Sequence, residues 1–365
     1  MTIGPNFAST EGEHLKLQHR LPVPDYRGAK FDLEVLVNNT IPDENVVRIA
    51  VDLACRAPSV HNSQPWQWRY ADGQLDLYTE RGRILTSTDP SGRQLVVSCG
   101  AALNHLQIAL IALKWSTDIR RVPEGPHSGH LASIRFRHDA RPQSHDFDLL
   151  AAIRHRHSDR RPFGPVSVQT PLPTTLAEVA RHQDVHLTVL GQGTRPTLAK
   201  ATELTAAARK YDSAYQAELH WWAGHSTSSG GIPSNALASG DNREGVAIGR
   251  RFPDGRDDNA TTKIDHSTVL VLSTDTEGRG EWLRVGEALS AVLLESTVAG
   301  LATCPLTHMT ELNQGREIIR ELLPDGGFPQ ALVRVGVGEG KSPPRQTPRR
   351  PIESVFSMAR RDPRR

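Results

Sequence analysis

Ser59, His61, Asn62 and Gln64 stand close together in the run Arg56-Ala57-Pro58-Ser59-Val60-His61-Asn62-Ser63-Gln64-Pro65-Trp66. Each carries a side chain that can donate or accept a hydrogen bond. Pro58 and Pro65 fix the bends on either side. A loop of this composition can grip the polar edge of a flat ligand, the plain alternative being a surface loop without a ligand. Other chemistries find less support. Cys55, Cys99 and Cys304 are scattered, with neither zinc spacing nor a disulfide framework. Gly224-His225-Ser226-Thr227-Ser228 lacks the closing glycine of a nucleophile elbow, and the Gly/Ser run after it lacks the strand and the Lys-Ser/Thr of a P-loop.

The loop needs an element to deliver it. Val46, Val47, Ile49, Ala50, Val51, Leu53 and Ala54 recur at helical spacing, which predicts a helix over 44–57 stopped by Pro58. Trp66, Trp68 and Tyr70 then alternate with Gln67 and Arg69, as on a half-buried strand. Ala71-Asp72-Gly73 makes a hairpin turn, and Leu75, Leu77 and Thr79 form the return strand. From Gly100 to Lys114 the chain is apolar on most faces, a helix to be buried centrally. Ile134 and Phe136 mark a further strand.

The later chain repeats this plan. Val269–Leu272 reads as an apolar strand, 286–300 as a second buried helix, and 331–335 as a strand after it. Gly100-Ala101-Ala102-Leu103 and Gly286-Glu287-Ala288-Leu289 match at a fixed offset, and such self-similarity decides architecture. Two related halves in one chain can act as a built-in dimer, burying their central helices against each other.

The 365 residues suffice for one large domain or two ordinary ones, and 37% are hydrophobic. A net charge of +2 gives no reason to expect nucleic acid or a membrane surface as partner. Three unpaired cysteines, no apolar run of membrane-spanning length and no charged, apolar leader at Met1 predict a cytoplasmic chain. Residues 1–30 read as a flexible arm, 31–145 as a first half and 146–365 as a second, with an insertion near 221–251. The basic end, Arg360 to Arg365, reads as a frayed tail.

The run from Ala57 to Trp66 resembles the helix-ending APSxxNxQPW loop of the nitroreductase-like flavoproteins, matched at every fixed position. The resemblance covers about residues 40–357 and is similar to the fused, Acg-like branch. It implies a mixed α+β fold, two halves fused in one chain that mimics a homodimer, and FMN as cofactor. The loop would then supply Arg56, Pro58, Ser59, His61, Asn62 and Gln64 to the flavin.

FMN needs cations or helix amides for its phosphate, hydrogen-bond partners for its ring edge and a wall for one face. Arg154-His155-Arg156-His157-Ser158-Asp159-Arg160-Arg161-Pro162-Phe163 resembles the family's RxSxRxF motif, with Phe163 one residue late. Carried over, Arg156, Ser158 and Arg160 would contact the cofactor, the role of Arg161 being open. Thr347-Pro348-Arg349-Arg350-Pro351 resembles the family's C-terminal RxP segment, so Arg349, or its neighbour Arg350, would meet the phosphate. Ile352, Val355 and Phe356 suggest that this tail docks. The ring's wall would come from Ala302–Met309, best matched at Pro305, Leu306 and Thr307. Cys304 reads as a small buried hydrophobe and His308 as a partly exposed structural histidine. His155 and His157 lack a third metal ligand.

The halves are not equivalent. The later half has the arginine motif but no APSxxN loop, and the first has the loop but no arginine before its helix, so the pieces combine into one FMN site. Within the insertion, Gly and Ser suggest mobility, whereas Trp221, Trp222, Ile232 and Leu237 suggest docking, as in a lid. The reading that results is an FMN-binding oxidoreductase carrying electrons from NAD(P)H to a nitro, quinone or similar planar acceptor, acting as a monomeric pseudo-dimer. The alternatives are an FMN-sequestering protein with a closed lid and, more distantly, a fused dimer that binds another planar ligand or a protein.

Overall fold

The computed structural model describes residues 41–167, 172–224, 229–253, 255, 263–338 and 346–358. The expected arm over 1–30 and the basic end 360–365 lie outside them.

Asp43 caps the first helix, α1 (Glu44–Ala54), by accepting from the amide of Asn45 at 2.8 Å. The helix ends earlier than expected. Its last turn tightens, Arg56 and Ala57 bonding to Leu53 and Ala54 rather than one residue further back, before Pro58 forbids continuation. Trp66, Trp68 and Tyr70 are buried on β1 (Trp66–Ala71), which returns through a tight turn into β2 (Gln74–Thr79). Asp72 (φ 49°) and Gly73 (φ 76°) both adopt the left-handed conformation that such a hairpin requires. Helix α2 (Arg93–Ala112) begins seven residues before the Gly100 start read from sequence. Then come β3 (Ser116–Arg121), β4 (His130–Arg137) and α3 (Ser144–His155). Strand β3 was not foreseen, because none of its residues is fully buried and its sequence is polar.

The chain continues through β5 (Phe163–Gly164), α4 (Leu172–Arg181), β6 (His186–Leu190), α5 (Arg195–Arg209), α6 (Ser213–Trp222), β7 (Ala223–Gly224), β8 (Ile232–Pro233) and α7 (Gly240–Glu244). It closes with β9 (Thr268–Thr274), α8 (Arg279–Val298), β10 (Ala302–Leu306), α9 (Asn313–Arg320), β11 (Phe328–Gly338) and β12 (Phe356–Met358). The strand that directly follows the second long helix is therefore β10, not the 331–335 segment.

Two main sheets form, and they share a plan. In one the order is β12-β1-β2-β4-β3; in the other it is β10-β11-β9-β6. Each has a helix before its first strand (α1, α4) and a 20-residue helix between its second and third (α2, α8). Strand β12 crosses back to pair in parallel with β1, Trp68 opposite Phe356, so the chain's end completes the sheet built by its beginning. Val355 and Phe356 are buried there, so the tail docks.

The two long helices meet at the matched glycines. A Cβ on Gly100 would lie 2.0 Å from the Leu283 carbonyl oxygen and 2.9 Å from the Gly286 Cα; one on Gly286 would lie 2.0 Å from the Val97 carbonyl oxygen. Only glycine lets the backbones approach so closely. Arg121 on β3 adds a bidentate pair to the fully buried Glu287 of α8, both bonds at 2.8 Å. Among the described residues, α2 alone is long and apolar enough to cross a membrane, and here its surface is packed inside protein.

Candidate functional site

Between the helix crossing and the loops lies a cavity of about 310 Å³, toward the small end of ligand pockets, which run from roughly 300 Å³ upward. Among the described residues, its lining holds nine arginines and no Asp or Glu. That imbalance is its main physical property: an anion would be drawn in, and a cation repelled.

The loop after α1 enters this cavity through a strained backbone. His61 (φ 46°), Asn62 (φ 56°) and Gln64 (φ 49°) are all left-handed, at a cost of roughly 1 kcal/mol or more each. Hydrogen bonds hold them there. The Val60 amide donates to Ser98 Oγ on α2 at 3.1 Å, and the Gln64 amide to Ser59 Oγ at 3.0 Å. Asn62 Nδ2 donates to the Gly231 and Pro348 carbonyls, both at 2.9 Å, while its Oδ1 accepts from Arg349 at 3.2 Å. Asn62 is therefore a tie between three chain segments as well as a lining residue.

Arg56, Pro58, Ser59, His61, Asn62, Arg156, Ser158, Arg160, Pro305, Leu306, Thr307 and Arg349 all line this one cavity. Gln64 and Arg350 do not line it. The Gln64 amide donates to the Ser229 and Asn62 carbonyls and accepts from the Arg350 amide at 2.8 Å. Arg350 in turn donates to the Gln64 and Ser354 carbonyls. The pair fastens the tail behind the loop. Arg161 also has a settled partner, Asp159 at 2.7 Å.

Arg156 caps the C-terminus of α3, and Arg349 arrives on the tail. Both donate to a single acceptor, the Arg56 carbonyl, at 3.2 and 3.1 Å. Neither has a carboxylate partner among the described residues, and the Nε of each is buried with no hydrogen-bond partner. Burial, and then the charge of Arg349, hold the Arg156 guanidinium down to about 9. Burial and then Arg56 hold Arg349 down to about 10. Two buried cations side by side with unused N–H groups are destabilising unless an anion joins them.

The opposite wall is β10. Ser158 bridges to Thr303, and the Asp159 amide bonds to the Thr303 carbonyl, so the arginine motif lies along this strand. Arg160 donates to the Ala236 carbonyl at 2.9 Å and lies over the ring of Phe252, 5.1 Å from its centroid. Phe252 also meets His61 edge-on at 5.8 Å. Both ring nitrogens of His61 are buried without partners, and burial, with Arg250 and Arg160 beside it, keeps the ring neutral well below its usual range. His308 is buried rather than partly exposed. It meets Thr202 Oγ1 at 3.2 Å, and burial with Arg250 and Arg334 also keeps it neutral.

No family model matches the chain. Relatives do. It is 42% identical over 330 residues to the protein named "Putative NAD(P)H nitroreductase acg" of Mycobacterium tuberculosis, covering 89% of this chain and 99% of the relative. A second M. tuberculosis protein, also named "Putative NAD(P)H nitroreductase", is 35% identical over 326 residues, covering 87% of this chain and 93% of that one. This chain belongs to the Acg-like nitroreductase family. Among solved structures, it is similar to the FMN-dependent nitroreductase NfnB of Mycobacterium smegmatis in complex with NADPH, with 17% identity and a TM-score of 0.38 over 59% of this chain and 99% of that one. A nitroreductase with bound FMN from Bacteroides fragilis aligns at 16% identity and a TM-score of 0.35, over 55% of this chain and 93% of that one.

Several residues of this family member's cavity escaped sequence reading. Arg250 joins the fully buried Glu311 and donates to Tyr215 Oη at 2.7 Å; burial opposes its charge, but Glu311 more than restores it. Thr307 Oγ1 donates to Gln94 Oε1 at 2.8 Å, and Gln94 donates onward to Glu311 at 2.9 Å. Arg334 is 1% exposed on β11 and 3.2 Å from Asp265. A signal existed for it, since an arginine inside the apolar run Ala331-Leu332-Val333-Arg334-Val335 must find a buried partner. Ile232 and Ala236 of the insertion line the cavity, as does Phe252 just after it, and Ile232 and Leu237 are buried. Trp221, expected to dock, is instead 70% exposed; Trp222 lies beneath the Arg83 guanidinium, 5.9 Å away.

Proposed function

We propose that this chain holds one FMN and uses it to carry electrons from NAD(P)H to a nitro, quinone or similar planar acceptor. The observation that carries the reading is the pair Arg156 and Arg349: two guanidiniums with buried Nε atoms and no carboxylate partner among the described residues, in a cavity also lined by the 59–62 loop and β10. Their unused Nε–H groups and lowered pKa values suit a phosphate monoester. The unpartnered His61 nitrogens and the Pro305–Thr307 stretch suit a heterocycle with a polar edge and an apolar face. When bound, the flavin supplies hydride acceptance and release, which no side chain here could provide.

The chain's own residues would do the rest. Arg156 and Arg349 would anchor the phosphate, with Arg56 adding charge. Asn62 would fix the loop against the tail, and Ser158 and Arg160 would reach the ribityl chain or ring. Phe252 and residues 229–253 would act as a lid that keeps bulk water out. The shared strand order and the glycine crossing support a fused pair of related halves, a monomer that mimics a dimer. Only one half carries the loop and only the other the arginine motif, so one flavin per chain is expected. Three free, buried cysteines suit the reducing cytoplasm.

The test is spectroscopic. The protein is purified, FMN is added if it is colourless, and NADPH is added without oxygen. Fast bleaching of a one-to-one flavin complex, reversed by a nitroaromatic or quinone, supports the reading. A yellow protein that does not bleach supports sequestration, and failure to take up FMN removes the reading altogether.

A further inference from the structure

The two halves superpose element by element along the chain. A single offset carries α2 (Arg93–Ala112) onto α8 (Arg279–Val298), Gly100 onto Gly286, and the first residue of β3, Ser116, onto the first residue of β10, Ala302. The strand order β3-β4-β2-β1 then matches β10-β11-β9-β6. The cavity is built across this relation: Ser98 and Ala101 line it from α2, and Thr307, just past β10, lines it from the other half. The same offset puts Arg284 at the place of Ser98, Glu287 at that of Ala101 and Arg121 at that of Thr307. Arg121 and Glu287 are the bidentate pair, both bonds at 2.8 Å. Where one side of the molecule presents a methyl group and a short hydroxyl to a cavity, the other has two long charged side chains that reach across and meet. The neighbouring positions agree. Ser98 Oγ holds the loop after α1 by accepting from the Val60 amide, whereas Arg284 holds the shorter connection after α4 through Asp184, 3.5 Å away. Glu287 is fully buried, and burial pushes its carboxyl above the usual range, the Arg121 bonds countering this only in part. A pair so buried adds little net stability over apolar residues of the same volume, so filling space accounts for it better than strength does.

We infer that the counterpart of the cavity, between α8 and β3, is a second ligand position, and that Arg121 and Glu287 close it by filling it. The inference rests on the proposed reading of fused halves around a flat cofactor. It names what the position takes once opened. With Glu287 truncated, Arg121 is left to meet a flat aromatic anion; with Arg121 truncated, Glu287 is left to meet a flat aromatic cation. An ordinary buried ion pair behaves differently. Truncating it leaves a hole no larger than the atoms removed, which a carboxylate the size of acetate fills and an aromatic ring does not.

The test is thermal unfolding of the full chain, with and without FMN, in the presence of benzoate, acetate or benzamidine. Glu287→Ala should lower Tm by about 5 °C or more, the cost of a buried cation without its partner. Benzoate at about ten times its Kd should restore about 2 °C or more, acetate should restore less, and neither should move the parent. Adding Arg121→Thr should abolish the benzoate effect, because no cation remains. Arg121→Ala, which leaves the carboxylate instead, should respond to benzamidine and not to benzoate, so either single variant carries the test. Three results overturn the inference. Acetate restores Glu287→Ala as well as benzoate does, which leaves only a side-chain-sized hole; benzoate shifts the parent equally, which places it elsewhere; or neither single variant folds even with its probe, which makes the pair part of the core rather than a filler. A chain that takes up no FMN yet shows the probe responses sinks the flavin reading alone. A flavin-loaded chain whose variants ignore the aromatic probes sinks this inference alone.

Discussion

Arg349→Gln isolates the proposed phosphate contact. The residue is half-buried, it shares the Arg56 carbonyl with Arg156, and its Nε is buried with no partner. A phosphate about 4 Å from a guanidinium gains on the order of 4 kcal/mol at an effective dielectric constant near 20. A hydrogen bond to a charged group contributes about 1.5–3 kcal/mol net. The glutamine should therefore lose roughly 2–4 kcal/mol of FMN binding, or about 30- to 1000-fold in Kd. Riboflavin has the same ring and no phosphate. Flavin fluorescence titrations with both ligands should show FMN weakened and riboflavin unchanged within about threefold. Equal weakening of the two, or none, would refute the assignment. The pH dependence follows from the same groups. Folded, Arg156 is held to about 9 and Arg349 to about 10, against 12.5 for the unperturbed side chain. Their charge therefore lowers the stability of the unliganded fold below about pH 9, and that penalty fades as pH rises through the folded values. Phosphate needs the charged forms, so the preference for FMN over riboflavin should hold below about pH 9 and shrink above it.

Other perturbations test the frame. Gly286→Ala gains about 1 kcal/mol of helix propensity but drives a methyl group into the Val97 carbonyl. A net loss of about 2 kcal/mol or more is expected by urea unfolding, and a variant as stable as the parent would contradict the close crossing. Glu311→Ala strands Arg250 as a buried, unpaired cation, costing about 3–5 kcal/mol; limited proteolysis should then cut faster between residues 229 and 253, and unchanged protection would count against the tie. Asn62→Ala removes the bonds to Gly231, Pro348 and Arg349 while keeping the left-handed strain, whereas Asn62→Gly removes the bonds and the strain together. The glycine variant should be the more stable by about 1 kcal/mol in thermal unfolding, and the reverse order would mean the strain is not real.

How much of this was legible depended on how local the cause was. Alternating Trp66, Trp68 and Tyr70 with the Asp72-Gly73 turn announced the first hairpin, because each residue's face is set by its immediate neighbours. Gly100 and Gly286 stood out as a matched pair, and they proved to be the point of contact. Strand β3 was hidden since Ser116-Thr117-Asp118-Ile119-Arg120-Arg121 forms a sheet edge with no fully buried face to pattern. The chemistry of Gln64 fits a ligand contact, and only the fold revealed that it also ties a distant tail to the loop.

The sequence by itself determined the two long helices, the first hairpin and the polar loop after α1, and it singled out arginines capable of meeting a phosphate. It could not rank those arginines. Arg161 finds a buried carboxylate, as do Arg250 and Arg334, which sequence reading passed over, while Arg156 and Arg349 find none among the described residues. That difference was decided in the tertiary structure, because the energy of a charge is set by what surrounds it in space, and residues hundreds of positions apart supply those surroundings.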